Sequence, residues 1–289
     1  MRHAFMIMAH NQFEILIKTL HILDDENIDF FIHIDKKCKA FPKDEVLQAC
    51  NKSRIYFINR ISVAWGGYSL IKCTLLLMEN ASKGKYDYYH LISGVDLPIK
   101  RKADILGFFE NNPKKQYIHF EQNSIQPKYF DRIKYHYFFQ DTGKRIFKIF
   151  NLVIRTLEKI LGVDRTKHNI VKKFQYGANW FSITHELVEY VLTKQDWIRK
   201  TFKYAYCGDE LFIQTIVVNS SFVDQLSDRA FDGDYISCLR YIDWKRGNPY
   251  VFRKEDFKAL IDSPFLFARK FDLRIDADIV DEIYTYYRE

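Results

Sequence analysis

The chain has 289 residues, of which 47% are apolar, so it is long enough for a large folded core and too apolar to be disordered. No apolar run approaches the length of a membrane span, and the short apolar run at the N-terminus predicts a first strand rather than a secretory signal. The net charge of +7 favours anionic partners, such as nucleotide phosphates, a membrane surface or nucleic acid.

The first hundred residues alternate between strand and helix patterns. Short stretches rich in β-branched and aromatic residues predict four buried strands, at residues 4–9, 29–34, 54–58 and 88–93. Apolar residues at helical spacing predict helices at residues 13–23 and 69–82. This alternation predicts an α/β fold with a mostly parallel central sheet flanked by helices.

The strand at residues 88–93 leads into a loop that contains Gly94, Asp96 and Pro98. Because proline cannot donate a ladder hydrogen bond and restricts the residue before it, we expect the strand to end here and to present Asp96 in the loop. The alternative for Asp96 is a structural role as the cap of a helix that begins near Lys102.

His10 and Asp35 follow two other predicted strands, just as Asp96 follows the fourth. Ligands of open parallel sheets bind beyond the carboxyl ends of the strands, so a site is predicted where these three loops meet. The chain contains neither GxGxxG nor GxxxxGK[ST], which disfavours a dinucleotide-binding fold of the usual fingerprint and a P-loop ATPase.

The second half of the chain continues with shorter elements. Strands are predicted at residues 116–121 and, after a glycine turn, within 176–184, and helices at 185–192 and 211–218. Residues 144–161 form an amphipathic pattern with Lys and Arg on one side and apolar residues on the other. Further ordered stretches are expected at residues 239–244, 256–260 and 267–272.

Seven stretches resemble motifs of one known family, in that family's order, from about residue 4 to residue 273. They read IMAHN, FIHIDKK, VAWGGYSLIKC, YYHLISGVDLPIK, QYGANWFSITHELVEYVL, CGDELFIQTIV and LFARKFD. The family is glycosyltransferase family 14, the core-2/I-branching β-1,6-N-acetylglucosaminyltransferases and the peptide O-xylosyltransferases. The resemblance implies a GT-A type fold and the transfer of a sugar from a UDP-sugar with inversion, here favouring GlcNAc in β-1,6 linkage, with UDP-xylose as the alternative donor.

The resemblance also implies where the donor nucleotide lies. Ala9, His10, Asp35 and Trp65 fall at the nucleotide site, where Asp35 would hydrogen-bond to the uridine and Trp65 would pack on the base. No Asp-x-Asp metal motif stands at residues 93–96, which are Ser-Gly-Val-Asp. The resemblance therefore implies that no metal or other cofactor is required, and the Asp-x-Asp matches at 232–234 and 276–278 are predicted to be surface turns or caps.

Without a metal, preorganised positive groups must stabilise the charge that develops on the departing diphosphate. Lys270, with Arg269 beside it, matches the basic motif that has this role in the family. A second family arginine corresponds to either Arg246 or Arg253, and the spacing does not choose between them. The structural alternative for each of these residues is a solvated surface charge.

Glu210 matches the family's catalytic glutamate and is predicted to be the general base. An inverting single displacement needs one carboxylate to take the proton of the acceptor hydroxyl, and a position at a helix N-terminus would favour the ionised form. The structural alternative is that 209–210 only begin a helix. The contacts to the sugar or the acceptor implied by the resemblance come from four residues: Asp96, Glu121, Arg132 and Trp180.

We predict one catalytic domain over residues 1–289, with a nucleotide-sugar half at 1–112 and an acceptor and catalytic half at 113–289. The five cysteines are scattered and lack CxxC spacing, which favours free thiols in a reducing compartment. The paired cysteines, signal anchor and stem of animal members are not found in this sequence. We therefore expect a bacterial, cytoplasmic enzyme that builds a cell-surface or exported glycan.

The helix predicted at 144–161 has two interpretations. Its basic side could lie on the anionic inner face of the cell membrane, or its apolar side could pack on the domain and leave the basic side in water. Two other functions compete with sugar transfer: a nucleic-acid-binding protein, which the scattered basic residues and missing motifs disfavour, and an inactive glycan-binding relative, which Glu210 and Lys270 disfavour.

Overall fold

The structure is a computed structural model that describes residues 1–122, 127–142, 146–167, 169–171 and 173–288. Within these residues the strands are β1 His3–Ala9, β2 Ile28–Ile34, β3 Arg54–Phe57, β4 Tyr88–Ser93, β5 Leu97–Pro98, β6 Tyr117–Ile118, β7 Phe181–Thr184, β8 Arg240–Ile242 and β9 Phe267–Arg269. The helices are α1 Phe13–Leu23, α2 Lys43–Gln48, α3 Tyr68–Ser82, α4 Lys102–Asn111, α5 Pro127–Lys134, α6 Ile146–Ile160, α7 His185–Thr193, α8 Gln195–Phe202, α9 Phe212–Val218, α10 Phe257–Asp262 and α11 Asp278–Tyr287. Short 3-10 turns connect several of them.

The central sheet has six strands in the order β3-β2-β1-β4-β7-β6. The first four are parallel, whereas β7 is antiparallel to β4 and β6 is antiparallel to β7. Successive residues of β1 pack into separate cores, with Phe5 in the core that contains α1 residues and Met6 in the core that contains α3 residues. Because both faces are covered, β1 and β2 are apolar along nearly their whole length. The predicted α/β class and mostly parallel central sheet are confirmed.

A second sheet of three strands, in the order β5-β9-β8, stands beside the first. The fourth strand ends at Ser93 as predicted, but Leu97 then pairs with Ala268, so the loop includes a strand that the sequence did not predict. β5 is an edge strand, where a proline is tolerated because only one side needs donors. The loop is therefore held between the two sheets.

Arg240 of β8 joins the two sheets. Its buried guanidinium donates hydrogen bonds to the carbonyl oxygens of Leu91 and Phe181, at 3.3 and 2.6 Å, and to Ser182 Oγ at 2.8 Å. It also donates to the carbonyl oxygen of Cys238, next to β8 itself. Burial lowers the pKa of Arg240 to about 10, so the side chain remains charged at neutral pH.

Strands from the two predicted halves of the chain share both sheets. β6 and β7, from 113–289, complete the central sheet, and β5, from 1–112, belongs to the small sheet. The strands predicted at 116–121 and 176–184 shorten to Tyr117–Ile118 and Phe181–Thr184, and helices α2, α5, α8 and α11 were not predicted.

The orientation of α6 contradicts the predicted packing of its apolar side on the domain. Asn151 is buried and exchanges two hydrogen bonds with the backbone of Phe138, so this polar side faces the protein. Val153, Leu157 and Ile160 are all at least half exposed. Lys144 and Arg145 lie outside the described residues, as does the side chain of Lys148. No helix in the described part of the chain combines the length and apolar character needed to cross a bilayer.

Candidate active site

The loops after β1 and β2 meet at one edge of the central sheet, as predicted. The Asp35 backbone N–H donates to the carbonyl oxygen of Ala9 at 2.9 Å, next to His10. Burial lowers the pKa of His10, and the amines of Lys37 and Lys270 lower it further against the opposing charge of Asp35. Lys270 follows β9 of the small sheet, so a charge from that sheet contributes to the lowered pKa of His10.

The nucleotide residues predicted in the neighbouring loops differ in exposure. Asp35 is buried, and its carboxylate accepts from the Lys37 backbone at 2.8 Å and from the Val63 backbone at 3.3 Å. Trp65 is 77% exposed and touches Tyr206 edge-on, with the ring centroids 5.6 Å apart. Trp65 therefore presents a free aromatic face, whereas Asp35 also holds its own loop.

Asp96 is buried and serves the loop that contains it. Its carboxylate accepts from the backbone N–H and the hydroxyl of Ser93, at 2.8 and 2.6 Å, and lies 3.3 Å from Arg269 Nε. The residue that precedes α4 is Arg101, so the interpretation of Asp96 as that helix's cap is wrong. The Arg269 guanidinium in turn lies 4.2 Å over the ring of Trp180. Asp96, Arg269 and Trp180 therefore form one packed unit.

The basic residues near the C-terminus are engaged to different degrees. Arg246 is held by the carboxylates of Asp243 and Asp256, at 2.6 and 2.7 Å, whereas Arg253 is exposed. Among the described residues, no hydrogen bond or ion pair engages the Lys270 amine. The amine of Lys270 is thus available to an anion.

The segment that carries Arg246 and Arg253 runs beside Lys270. The backbone N–H of Phe252 donates to the carbonyl oxygen of Lys270 at 3.1 Å, and the Lys270 N–H approaches the carbonyl oxygen of Tyr250 at 3.5 Å. Both arginines therefore lie in the strip of chain that borders Lys270, and the choice between them stays open.

Glu210 ends a short 3-10 turn, Gly208–Glu210, and Leu211 separates it from α9. The expected position at the N-terminus of a regular helix is therefore wrong, and the positive partner is a side chain instead. Glu210 Oε2 accepts from Arg132 Nη1 of α5 at 2.6 Å, and both side chains are partly exposed. The structure thus brings together two residues that the sequence analysis assigned to separate roles.

Three tyrosines surround this ion pair and were not predicted. The Arg132 guanidinium lies 5.0, 5.2 and 5.8 Å from the ring centroids of Tyr129, Tyr176 and Tyr206. Tyr176 also hydrogen-bonds to Glu210, and burial together with the Glu210 charge raises its pKa. Burial opposes the charge of Arg132, but Glu210 raises the Arg132 pKa above its ordinary value. Tyr176 lies within one of the family-like motifs and Tyr206 directly precedes another, which is the signal that could have found them.

Asp209, next to Glu210, points into the protein. Its carboxyl is buried, and Oδ1 has no hydrogen-bond partner among the described residues. Burial, and then the charge of Glu210, raise the pKa of Asp209. The two adjacent carboxyls therefore occupy opposite environments, one closed and one open to substrate.

Glu121 lies on the other side of Tyr176, whose carbonyl oxygen accepts from the Glu121 backbone at 2.9 Å. Burial raises the pKa of Tyr235, and the charge of Glu121 contributes to this increase. Tyr235 hydrogen-bonds to Trp244, which is about half exposed. Tyr235 and Trp244 therefore add two aromatic side chains to the surroundings of Glu121.

A backbone hydrogen bond connects two of the loops that carry predicted site residues. The Cys207 N–H donates to the carbonyl oxygen of Gly66 at 2.9 Å, so the turn that carries Glu210 is tied to the loop of Trp65. Gly66 has a φ of +74°, and a Cβ there would lie 2.8 Å from the Tyr206 ring, so glycine is required at this contact.

The predicted turns at the two Asp-x-Asp matches are confirmed: Asp234 accepts from the Ile236 backbone at 2.9 Å, and Asp276 from the Ile279 backbone at 3.0 Å. Across the described residues, no group of three or more His, Cys, Asp or Glu side chains is placed to hold a metal ion.

Comparison with known proteins shows which family the sequence matches. The profile described as Branch, Core-2/I-Branching enzyme, matches residues 3–260. Xylosyltransferase 2 of Rattus norvegicus is 24% identical over 97% of this chain, as is that of Homo sapiens, and xylosyltransferase sqv-6 of Caenorhabditis elegans is 25% identical over 87%. The chain spans about a third of the length of these curated relatives, 33%, 33% and 32% respectively.

Among solved structures, mouse xyloside xylosyltransferase 1 in its apo form aligns with 92% of this chain and 96% of its own, at 10% identity and a TM-score of 0.40.

Proposed function

Since the chain belongs to the Core-2/I-Branching enzyme family, we propose that it transfers a sugar from a UDP-sugar to a hydroxyl group of a glycan acceptor. The observation that carries the proposal is the Glu210–Arg132 pair, a partly exposed carboxylate held by a guanidinium inside a ring of tyrosines. A carboxylate held in position at an aromatic surface suits the deprotonation of a sugar hydroxyl.

The proposed reaction is a single displacement. Glu210 takes the proton of the acceptor hydroxyl while the oxygen attacks the anomeric carbon from the face opposite the leaving group, which inverts the configuration there. The bond between the anomeric carbon and the diphosphate oxygen breaks, and the electron pair leaves with UDP. The free amine of Lys270 stabilises the added negative charge, and Arg269, the last residue of β9, fixed by Asp96 and Trp180, adds positive charge beside it.

The donor is placed along the edge where the loops after β1 and β2 meet. Ala9, His10 and Asp35 line the uridine, and the exposed ring of Trp65 stacks on the base. Glu121 and Arg132, with the aromatic residues beside them, contact the acceptor. We further propose that no metal or other cofactor takes part, because the loop at 93–96 lacks an Asp-x-Asp pair and Lys270 supplies positive charge instead.

Two donor sugars are candidates. The family resemblance favours GlcNAc transferred in β-1,6 linkage, whereas the relatives named xylosyltransferases favour UDP-xylose. The five cysteines are all free thiols, which supports a reducing compartment. We propose that the protein is a bacterial cytoplasmic enzyme that contacts the inner face of the membrane.

Thermal unfolding with UDP, UDP-GlcNAc, UDP-xylose and UDP-glucose, each with and without EDTA, tests these points together. A nucleotide at 100 times its dissociation constant should stabilise the fold by about 2.7 kcal/mol. We expect UDP and one UDP-sugar to stabilise it, each by the same amount with EDTA as without it. Stabilisation by none of the four would contradict a UDP-sugar donor. Stabilisation that EDTA abolishes and Mn²⁺ restores would contradict the metal-free site.

A further inference from the structure

Helix α6 presents an apolar surface to solvent. Ile149, Val153, Leu157 and Ile160 are 69%, 53%, 50% and 76% exposed, and they follow one another at three- and four-residue steps on one side of the helix. Leu161, directly after the helix, is 76% exposed. Leaving so many large aliphatic side chains in water is unfavourable for a folded protein, so this face needs a cover.

The opposite side of α6 is fixed to the protein by polar contacts. Arg155 donates to the hydroxyl of Tyr137 at 3.0 Å, and Glu158 accepts from the backbone of His136 at 2.9 Å. Asn151 pairs with the backbone of Phe138. These partners would be lost if the helix turned its apolar side inward, so the exposure of that side belongs to the fold.

The apolar surface continues onto the preceding segment. Phe139 is 52% exposed, and its ring stacks on Phe147 with the centroids 4.6 Å apart and touches Phe150 edge-on at 5.8 Å. Aromatic rings beside an aliphatic helix face are typical of helices that lie in the interface of a bilayer.

The stretch of sequence that carries this surface is strongly basic. Residues 128–173 contain twelve Lys and Arg against four Asp and Glu, a net of +8, whereas the whole chain has +7. The rest of the chain is therefore close to neutral, and the excess positive charge belongs to the segment that carries the apolar face.

We propose that α6 lies in the surface of a bilayer that contains anionic lipids, with its apolar side among the acyl chains and the basic segment on the headgroups. This is the reverse of the expected orientation, in which the basic side alone met the membrane. Anionic lipid is favoured over a second copy of the chain because two segments of +8 would repel each other. It is favoured over nucleic acid because aliphatic side chains have no role on a phosphate backbone.

The docked helix lies close to the proposed active site. Arg155 of α6 contacts Tyr137, whose ring stacks on Tyr206 at 5.3 Å, and Tyr206 faces Arg132, the partner of Glu210. Docking therefore places the site beside the membrane surface, within reach of an acceptor linked to lipid. The docking itself goes beyond the proposed function and does not depend on it, because a bilayer would hold the chain whether or not a donor is bound.

Co-sedimentation of the full chain with vesicles, without donor, tests the proposal. We expect binding to vesicles with phosphatidylglycerol and little to pure phosphatidylcholine, weakened by salt because screening shortens the range of the charge attraction. The pair Leu157→Ser and Ile160→Ser should lower partitioning by at least about tenfold, because both side chains leave the acyl region. The matched pair Leu47→Ser and Ile275→Ser, also exposed but far along the chain from α6, should bind as wild type does.

Charge reversal gives an independent test if the serine pair folds poorly. Lys159→Glu with Lys167→Glu should also lower binding by at least about tenfold, whereas Lys52→Glu with Lys258→Glu, an equal change of net charge on exposed residues, should lower it much less. Wild-type chain that stays in the supernatant with both vesicles would overturn the proposal. So would a wild-type dimer that the serine pair converts to monomer, or tight binding to a DNA oligomer without any to anionic vesicles, since each assigns the face to another partner.

Discussion

Glu210 and Arg132 act as a pair, in which the guanidinium fixes the position of the carboxylate inside a ring of tyrosines. We expect Glu210→Gln to lower sugar transfer by about two to four orders of magnitude, because an amide cannot accept the proton of the acceptor hydroxyl. Binding of UDP should be retained, since the residues predicted to hold it are elsewhere. Turnover with a saturating donor and titration calorimetry with UDP measure the two effects. The exposed Glu186→Gln is the matched control, and near-normal turnover of Glu210→Gln would assign the base to another residue.

Lys270 should distinguish the diphosphate from the nucleoside. Its amine has no other partner in the described structure, so Lys270→Ala should weaken UDP binding by about tenfold or more, the usual value of a charge-assisted contact, and leave uridine binding nearly unchanged. Calorimetric titration with the two ligands measures the difference, with the exposed Lys258→Ala as control. Equal losses for UDP and uridine would mean that Lys270 supports the site's structure and does not contact phosphate.

Asp209 makes stability depend on pH. Burial raises its folded-state pKa above the value of about 4 in the unfolded chain, so the folded protein binds the proton more tightly. Its contribution to the free energy of unfolding is therefore full at low pH and is lost as the pH rises from about 4 through the folded-state pKa. Asp209→Asn removes this term, so its melting temperature relative to wild type should rise across that window. The melting temperatures of the two proteins are measured across this pH range, with the exposed Asp196→Asn as control. A difference between wild type and Asp209→Asn that does not change with pH would contradict a buried Asp209 that titrates.

At the scale of elements, one glycine closes the turn that supports Glu210. The Gly177 N–H donates to the Glu210 carbonyl oxygen at 2.9 Å, and a Cβ at Gly177 would overlap the carbonyl oxygen of His119. Gly177→Ala should therefore destabilise the fold by about 1–3 kcal/mol and lower transfer. Gly107→Ala, in α4 with open space around it, should stabilise by about 0.5–1 kcal/mol without changing transfer. Chemical denaturation of both variants measures the change in the free energy of unfolding. An unchanged value for Gly177→Ala would show that the backbone of the turn can relax.

The elements that sequence predicts best are those whose pattern is local. β4 and α1 have the predicted bounds because each is bounded by breakers and carries a regular apolar pattern. β5 and β6 are two residues long and exist only through their partners in another part of the chain, so no local signal marks them. The side on which α6 packs was missed because polar contacts with 136–138 outweigh the burial of its apolar face.

In the candidate site, too, the sequence predicts what local motifs carry and misses what tertiary contacts create. Glu210, Asp35 and Trp65 stand in recognisable motifs, so their positions could be predicted. The pairing of Glu210 with Arg132 could not be predicted, because a loosely matching stretch supplies the arginine and one tyrosine, and two distant segments supply the other two tyrosines. Arg269 was predicted beside Lys270 at the diphosphate, but its packing against Asp96 and Trp180 is a tertiary contact that the sequence does not show.

At the scale of the whole molecule, the two halves of the chain depend on each other. Because β6 and β7 complete the central sheet, a fragment of residues 1–112 would leave β4 as an edge with a row of unpaired backbone groups. We expect this fragment to be unfolded or aggregated, and the intact chain to unfold in one transition. Circular dichroism and the dispersion of amide signals measure both. A well-dispersed spectrum with cooperative melting from 1–112 would show that the nucleotide half is an independent domain.

The hydrogen bonds of Arg240 have a consequence for which substrates fit. A guanidinium donates in fixed directions, so the carbonyl oxygens of Leu91 and Phe181 allow one placement of the small sheet against the large one, where an apolar joint would let the two slide. The proposed uridine site lies at the edge of the large sheet, and Lys270 follows a strand of the small one. Arg240 therefore fixes the distance between the proposed uridine site and Lys270. We expect this contact between the sheets, which touches no substrate, to make the site prefer a nucleoside diphosphate over a monophosphate or a triphosphate.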